Sequence, residues 1–456
     1  MKITAAIIIL ACSCLHAQTT FFQTYGSGSF NDCIETSDSN LLAVGSSNGL
    51  CFAMKTNQIG DTTWTRQYGN AQPPYGSSVE AVTEIDGGDF LLCGATGYSG
   101  VSYVFILKIN SVGDTIWTKK YYAGVGLGIH VNHQGNYLVN FLDEYSSLSN
   151  IMLLDTNGTE LWEKSFDFGQ HECIRSFSIS PNDDIICVGE FDNSSGGSDA
   201  FILKLNSVGD SLWCRTYSSP GNFYDGFNSM VLLPDSNAIL AGVFGISSTS
   251  SELWISKVNA VGDTIRNFRY TIPVSGLAAI RISLNQSNNG IVVSGTKNGT
   301  KVFVLWSDTS LVAPIHYKEF QFLTTNEISP ASILCSDNLL LLAGRSDSIT
   351  STTKWLTKID SAGAGIINGI KIPIDNLSAI KLFYESVANE LNYSIPENVE
   401  IVLVVNDILG REIKNELLTG NCGSVFLRDI AGGIYLASML SLNRRVMKSL
   451  LFLKSF

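Results

Sequence analysis

The chain has 456 residues, 45% hydrophobic and only 15% charged, with 41 glycines and a formal net charge of −12. An acidic chain without a basic stripe has nothing with which to displace counterions from a phosphate backbone, so nucleic acid is excluded as a partner. No long segment carries apolar residues at helical spacing, so the chain reads as all-β.

Met1-Lys2 is followed by the apolar run Ile3 to Leu15 and then His16-Ala17-Gln18. A short positive start, a brief apolar core and a small residue at the break describe a secretory signal, residues 1–17, with cleavage after Ala17. The rival is a lipid on Cys12 in a lipoprotein-like box, which would leave only half of the run as signal core. No later run is long and apolar enough to suggest a membrane span. Cys33, Cys51, Cys93, Cys173, Cys187, Cys214, Cys335 and Cys422 follow the signal, scattered over apolar strands without a Cys-x-x-Cys pair. Buried free thiols are the expected state of most, and the spacing does not suggest zinc.

From Phe21 onward the chain repeats itself. Phe105 to Trp117 (FILKINSVGDTIW) returns almost unchanged as Phe201 to Trp213 (FILKLNSVGDSLW). Weaker copies run Phe52 to Trp64, Ile151 to Trp162, Leu253 to Ile265, Val302 to Val312 and Lys354 to Ile366. Within a copy, Phe105, Leu107 and Ile109 alternate with Ile106 and Lys108, the two-residue period of a strand. Asn110-Ser-Val-Gly-Asp114 supplies a turn, and Thr115 to Tyr121 resumes as a second strand. A further hairpin precedes each copy, as in Val79–Ile85, Asp86-Gly-Gly-Asp89 and Phe90–Gly94. Four strands in about 50 residues, repeated seven times, is the period of a β-propeller blade. The expected fold is all-β, a seven-bladed β-propeller over 18–374.

The ring must close or leave sheet edges open. Phe21 to Tyr25 shares its spacing of aromatic, three residues, aromatic with Trp64 to Tyr68, Trp117 to Tyr121 and Trp213 to Tyr217. It therefore reads as an orphan fourth strand completing the last blade. The alternative places Ile366–Ile372 in that slot, with the N-terminal strand alongside.

First-to-second and third-to-fourth connections are tight and uniform. The second-to-third and fourth-to-first connections vary, as in Glu190 to Asp199 and Tyr217 to Asp225, and loops on a rigid scaffold carry binding residues. The varied end is the expected ligand face, with Tyr75, His171, Phe223, Tyr224 and Asp225 at first-strand entrances. The competing view is that these aromatics only cover blade ends.

Little in the sequence suggests catalysis. No nucleophile elbow, phosphate loop or calcium loop is present, so no catalytic residue, cofactor or metal is assigned. His130 and His133 would point to opposite faces of a strand. Glu80 and Glu84 share one side of a first strand, so a glycosidase pair is conceivable, against the plainer reading of channel-lining or solvated carboxylates.

After Ile372-Pro-Ile-Asp375 the repeat stops. Residues 375–380 read as a linker, and 381–456 as a small Ig-like β-sandwich, with strands at Glu390–Ile395, Glu400–Asn406, Ser424–Leu427, Gly433–Leu440 and Val446–Leu453. Asp407-Ile-Leu-Gly410-Arg411-Glu-Ile413, Asp429-Ile-Ala-Gly-Gly433-Ile-Tyr435-Leu436 and the basic run Arg444 to Lys448 stand in order here. This module resembles the type A C-terminal sorting domain of the type IX secretion system of Bacteroidota. The family's Asp-x-x-Gly-Arg-x-Val block corresponds to Asp407, Gly410 and Arg411, and its Asp-Leu-x-x-Gly-Ile-Tyr block to Asp429, Gly433 and Tyr435. Phe383 to Leu391 lacks the two prolines of the family's opening turn. The resemblance implies export through the periplasm and across the outer membrane, the secretion machinery as partner, and release or attachment at the cell surface. Asp61-Thr62, Asp114-Thr115, Asp210-Ser211 and Asp263-Thr264 also resemble the Asp-Ser/Thr O-glycosylation sites of this group, although a turn Asp before a strand-forming Thr explains them equally well. The function expected is a monomeric, non-enzymatic binding or adhesion protein for an extracellular protein or glycan. The rival is a propeller enzyme degrading polysaccharide.

Overall fold

The computed structural model describes residues 20–69, 76–98, 101–167, 170–194, 196–221, 223–247, 250–273, 280–297, 300–312, 314–323, 326–348 and 351–360. Beyond these it describes 381–385, 390–394, 401–407, 411–418, 422–427, 429–431, 433–441 and 446–454. The expected signal, Tyr75, the segment 366–372, the linker 375–380 and Gly410 lie outside the described residues. The chain divides into two compact units, Met1–Gly365 and Ile366–Phe456.

Among the described residues the first unit is made of antiparallel sheets that follow one another along the chain. One holds β2 (Ser29–Glu35), β3 (Leu41–Ser47), β4 (Leu50–Thr56) and β5 (Thr62–Tyr68) in sequence order. A seven-stranded sheet joins β6 (Ser77–Ile85), β7 (Asp89–Tyr98), β8 (Val101–Ile109), β9 (Thr115–Val131), β10 (Tyr137–Asp143), β11 (Ser149–Leu154) and β12 (Glu160–Phe166). Then come β13 (Gln170–Ile179) with β14 (Ile185–Asp192), β15 (Ser198–Leu205) and β16 (Ser211–Tyr217). The next is β17 (Gly226–Leu232), β18 (Ala238–Ser247), β19 (Ser250–Val258) and β20 (Thr264–Pro273). After it stand β21 (Arg281–Leu284), β22 (Gly290–Lys297), β23 (Lys301–Asp308) and β24 (Pro314–Phe320). The last combines β25 (Asn326–Leu334), β26 (Leu340–Asp347) and β27 (Thr352–Ile359) with β1 (Phe21–Ser27).

The N-terminal strand thus closes the final sheet. Phe21 lies opposite Lys358 in the register, as Trp64 lies opposite Lys55 and Trp117 opposite Lys108. The seven-stranded sheet arises because β9 is a single strand of 17 residues. Its first half pairs with β8 and its second half with β10. It therefore serves as the fourth strand of one repeat and the first strand of the next.

The first strands meet in a closed circuit: β2 packs on β6, β6 on β9, β9 on β13, β13 on β17, β17 on β21, β21 on β25, and β25 on β2. Strands covered on both faces need continuous apolar runs, and this explains Leu41-Leu-Ala-Val44 and Phe90-Leu-Leu-Cys93, whose residues are buried throughout. Fourth strands alternate instead, with exposed positions in β5 and β16. The cores lie between successive sheets. Phe30, Leu41, Phe52 and Met54 form one cluster with Phe21, Leu341 and Leu356, which seals the join between the two ends of the unit. The result is an all-β unit of propeller-like build. Cys33, Cys51, Cys93, Cys173, Cys187, Cys214 and Cys335 are free, and all but Cys214 are buried.

The second unit has two antiparallel sheets, β28 (Lys381–Glu385), β29 (Glu390–Ser394) and β32 (Cys422–Phe426), and β31 (Glu412–Leu418), β30 (Ile401–Asp407), β33 (Gly433–Ser441) and β34 (Val446–Lys454). Leu382, Leu391 and Val425 of one share a core with Leu403, Val405, Ala437 and Met439 of the other. Asp407 accepts from the Arg411 backbone at 3.0 Å and from its guanidinium at 2.7 Å, which fixes the turn between β30 and β31. Tyr435 is buried and donates to the Ala431 carbonyl at 2.8 Å, and Asp429 is exposed.

Candidate functional site

The first strands share an irregularity. In β2, β6, β13 and β17 the register skips one residue, at Asn31, Glu80, Arg175 and Asn228. A bulge of this kind frees one side chain from the ladder and turns it. Opposite each bulge stands a glycine, Gly45, Gly94, Gly189 or Gly242, over whose Cα the bulged strand's carbonyl passes. At Gly94 an added Cβ would lie 2.0 Å from the Ser78 oxygen.

Charged side chains of the first strands come together, two of them from bulge positions. Asp32, Glu80, Arg175 and Arg281 belong to four different sheets, yet Arg281 acts electrostatically on Asp32, Glu80 and Arg175. Asn31 bridges the first two sheets, donating to Ser78 Oγ and the Val79 carbonyl at 2.9 Å and to Glu80 Oε1 at 3.2 Å. Asp32 takes the Cys33 and Val82 backbone N–H groups, one on each oxygen, both at 2.9 Å. Burial pushes its carboxyl up to about 6, against the pull of those N–H groups and of Arg281. Burial also raises Glu80, opposed by Ser78 and Arg281. The Arg281 guanidinium is lowered by burial, and Asp32 works in the other direction. Its one hydrogen bond among the described residues goes to the Ile280 carbonyl at 3.3 Å.

Towards the varied connections, Arg175 holds Glu190 through Nε at 2.7 Å and Nη2 at 2.5 Å. Tyr224 lies beside this pair, its phenol raised first by burial and then by Glu190. Tyr224 is 48% exposed. His171 is exposed as well, in the left-handed region at φ 52°, a backbone cost that sites of binding often carry.

Tyr224 and His171 are exposed, whereas two of their companions are more enclosed. Asp225 is buried. Its carboxylate accepts from the Ser219 backbone at 2.5 Å and the Gly245 backbone at 2.8 Å, and so ties two loops together. Phe223 packs against Gly221 and Gly245. Glu80 and Glu84 also part company. Glu84 accepts from the Ser37 backbone at 2.7 Å and its hydroxyl at 2.6 Å, linking two first turns, as Glu35 does with Ser336. The carboxylate that shares Glu80's surroundings is Asp32. His130 stands edge-on to Phe177, and His133 bonds Asp183 at 2.7 Å, so the two rings serve different partners. The turn carboxylates Asp114 and Asp210 reach Arg66 and Lys164 on the preceding sheet.

Sequence reasoning missed Asp32, Arg175, Glu190 and Arg281. The available signal was a charged side chain inside an apolar first strand, as in Phe30-Asn-Asp-Cys33 and Ile280-Arg-Ile282.

Fold and site together define an all-β repeat protein of propeller-like build. No protein-family model matches the chain, and no curated protein is similar to it. Among solved structures it is similar to a protein of unknown function from Bacteroides caccae, at 13% identity and a TM-score of 0.40, covering 62% of this chain and 94% of that one. It is also similar to a fungal alcohol oxidase of the AA5 family in complex with copper, at 9% identity and a TM-score of 0.43, covering 95% and 99%.

Proposed function

We propose that the chain is an exported, seven-bladed β-propeller that works as a binding or adhesion module at the cell surface, and that its C-terminal unit, an Ig-like sandwich, addresses it to type IX secretion. The closed circuit of first strands supports the blade count, and the ordered Asp407, Arg411, Asp429 and Tyr435 blocks support the address. One observation carries the binding reading. Tyr224 stands exposed beside the Arg175–Glu190 pair and His171 is exposed near the start of β13, while both oxygens of Asp32 are already engaged by backbone N–H groups. Ser229 does the same work in another sheet, accepting the Ile282 N–H at 3.2 Å. A position that a serine fills equally well is a joint between sheets rather than a proton donor. The ligand is an extracellular protein or glycan.

A second reading has a specific observation in its favour. Two carboxyls with raised pKa values share an enclosed space with an arginine, an arrangement suited to general acid–base work on a polysaccharide. A glycan and protein array run beside a hydrolysis assay on the same sugars separates the two. Binding lost in Tyr224→Ala, without turnover, is the expected outcome. Turnover abolished by Glu80→Gln would establish the enzyme instead.

A further inference from the structure

One repeat departs from its neighbours at the uniform end. In the sheets beginning with β2, β13 and β25, the first turn spans 36–40, 180–184 and 335–339 between the paired strand ends. Each such turn presents a carboxylate to the lysine of the third strand. Lys55 meets Asp38 at 2.7 Å, Lys204 meets Asp184 at 3.0 Å, and Lys358 meets Asp337 at 2.6 Å. Lys108 occupies the same register position, opposite Leu91 as Lys55 is opposite Leu42. Its turn, however, is cut to 86–88. Among the described residues no carboxylate reaches Lys108, and its ammonium makes no ion pair or hydrogen bond.

The space left by the shortened turn is a depression of about 720 Å³. Lys108, Asp86, Glu84, Asn132, His133 and Thr156 help to line it. Glu84 is committed to Ser37, and the Asn132 carbonyl to its own turn at 2.9 Å. His133 is held by Asp183. Asp86 is left, like Lys108, without a partner among the described residues. A free ammonium and a free carboxylate thus line one cavity without bonding each other.

We infer that this depression is a second binding site, opposite to the varied loops, for an acidic sugar whose carboxylate pairs with Lys108 and whose hydroxyls donate to Asp86. The size suits such a ligand, since small-molecule sites commonly run about 300–1,000 Å³. A charge-assisted pair to Lys108 gives the acid its advantage over the neutral hexose. The site owes nothing to the varied end, so Tyr224→Ala leaves it intact.

The test is calorimetric titration of the full chain with galacturonate, glucuronate and their oligomers, with glucose and galactose as neutral controls. A uronate should bind saturably, and the neutral hexoses at least about tenfold more weakly. Lys108→Met should lose about tenfold or more in affinity, and Lys108→Arg should retain binding. Replacing 86–88 with the five residues of 36–40 should abolish binding, because the grafted Asp claims the lysine. Melting curves verify that each variant is folded, and the wild-type comparison of acid with neutral sugar needs no variant. Absence of saturable uronate binding, equal binding of neutral hexose, or full affinity in folded Lys108→Met would each overturn the assignment.

Discussion

Tyr25 donates its phenolic hydrogen to the carbonyl of Gly60 at 2.7 Å. Tyr121 does the same to Gly158 at 2.7 Å, and Tyr68 to Gly113 at 2.8 Å. Four residues before each tyrosine an aromatic ring lies against that same glycine: Phe21 at Gly60, Trp117 at Gly158, Trp64 at Gly113. All three glycines have positive φ, at 84°, 72° and 87°. They are required twice over, by backbone conformation and by the ring beneath them. β1 therefore grips the following sheet as β5 and β9 do, although nearly the whole repeat array separates it in sequence from the rest of its own sheet. Removing the Phe21 ring should cost about 3–5 kcal/mol, since it empties a buried site at the seam. Tyr25→Phe should cost about 1 kcal/mol for the lost hydrogen bond. Urea unfolding of both variants checks this, and a Phe21→Ala protein as stable as the parent would mean that the seam is held by other contacts.

The glycines facing the bulges permit a sharp contrast. Gly94→Ala places a methyl 2.0 Å from the Ser78 oxygen and 2.9 Å from the Val79 Cα. Both are backbone atoms and cannot step aside, so the variant should lose more than about 4 kcal/mol or fail to fold. Gly87→Ala has φ 91° but nothing within 4 Å of the new methyl, and should cost only about 1 kcal/mol through conformation. Thermal melts of the pair measure the difference; equal losses would show that the bulge does not fix the approach of β6 to β7.

The repeat and its orphan strand were legible because alternation and turn chemistry are local. Phe21 and Tyr25 carry their spacing in the sequence whatever they pair with. What local patterning conceals is convergence. Asp32 and Arg281 face a common space only because their two strands belong to the same circuit, and a bulge at Asn31 or Glu80 adds one residue to a strand without marking the sequence. The strand expected from Thr115 to Tyr121 runs on to Val131, because no turn-forming cluster interrupts it. β31 escaped notice in the second unit because Glu412 to Leu418 is mostly exposed and lacks an apolar run. The depression beside Lys108 was hidden for a different cause: Asp86-Gly-Gly looks like an ordinary tight turn until neighbouring repeats show what it omits.

The second unit permits a test in cells. If the Asp407–Arg411 turn and the buried Tyr435 belong to a sorting module, deleting 381–456 should leave the remainder folded and retained in the periplasm. Fractionation with a near-ultraviolet dichroism spectrum of the purified truncation reads both. Normal delivery of the truncated chain to the medium or cell surface would refute the address without touching the first unit.

Asp32 provides a pH signature. Its pKa in the folded chain is about 6, raised from 3.8 chiefly by burial. Between those values the folded state holds the proton more tightly than the unfolded state, so this group lowers stability as pH rises from about 4 to about 6. Asn cannot ionise, and it therefore escapes that penalty. At low pH Asp32→Asn should be the less stable form, because only one of the Cys33 and Val82 N–H groups can keep an oxygen acceptor. The melting temperature of the variant relative to the parent should then climb as pH goes from 4 to 7.5 and level off above about 6.5. A difference that stays flat, or falls with pH, would mean that Asp32 is ionised at no cost in the folded chain, and the proton-donor reading of the enclosed carboxyls would fall with it.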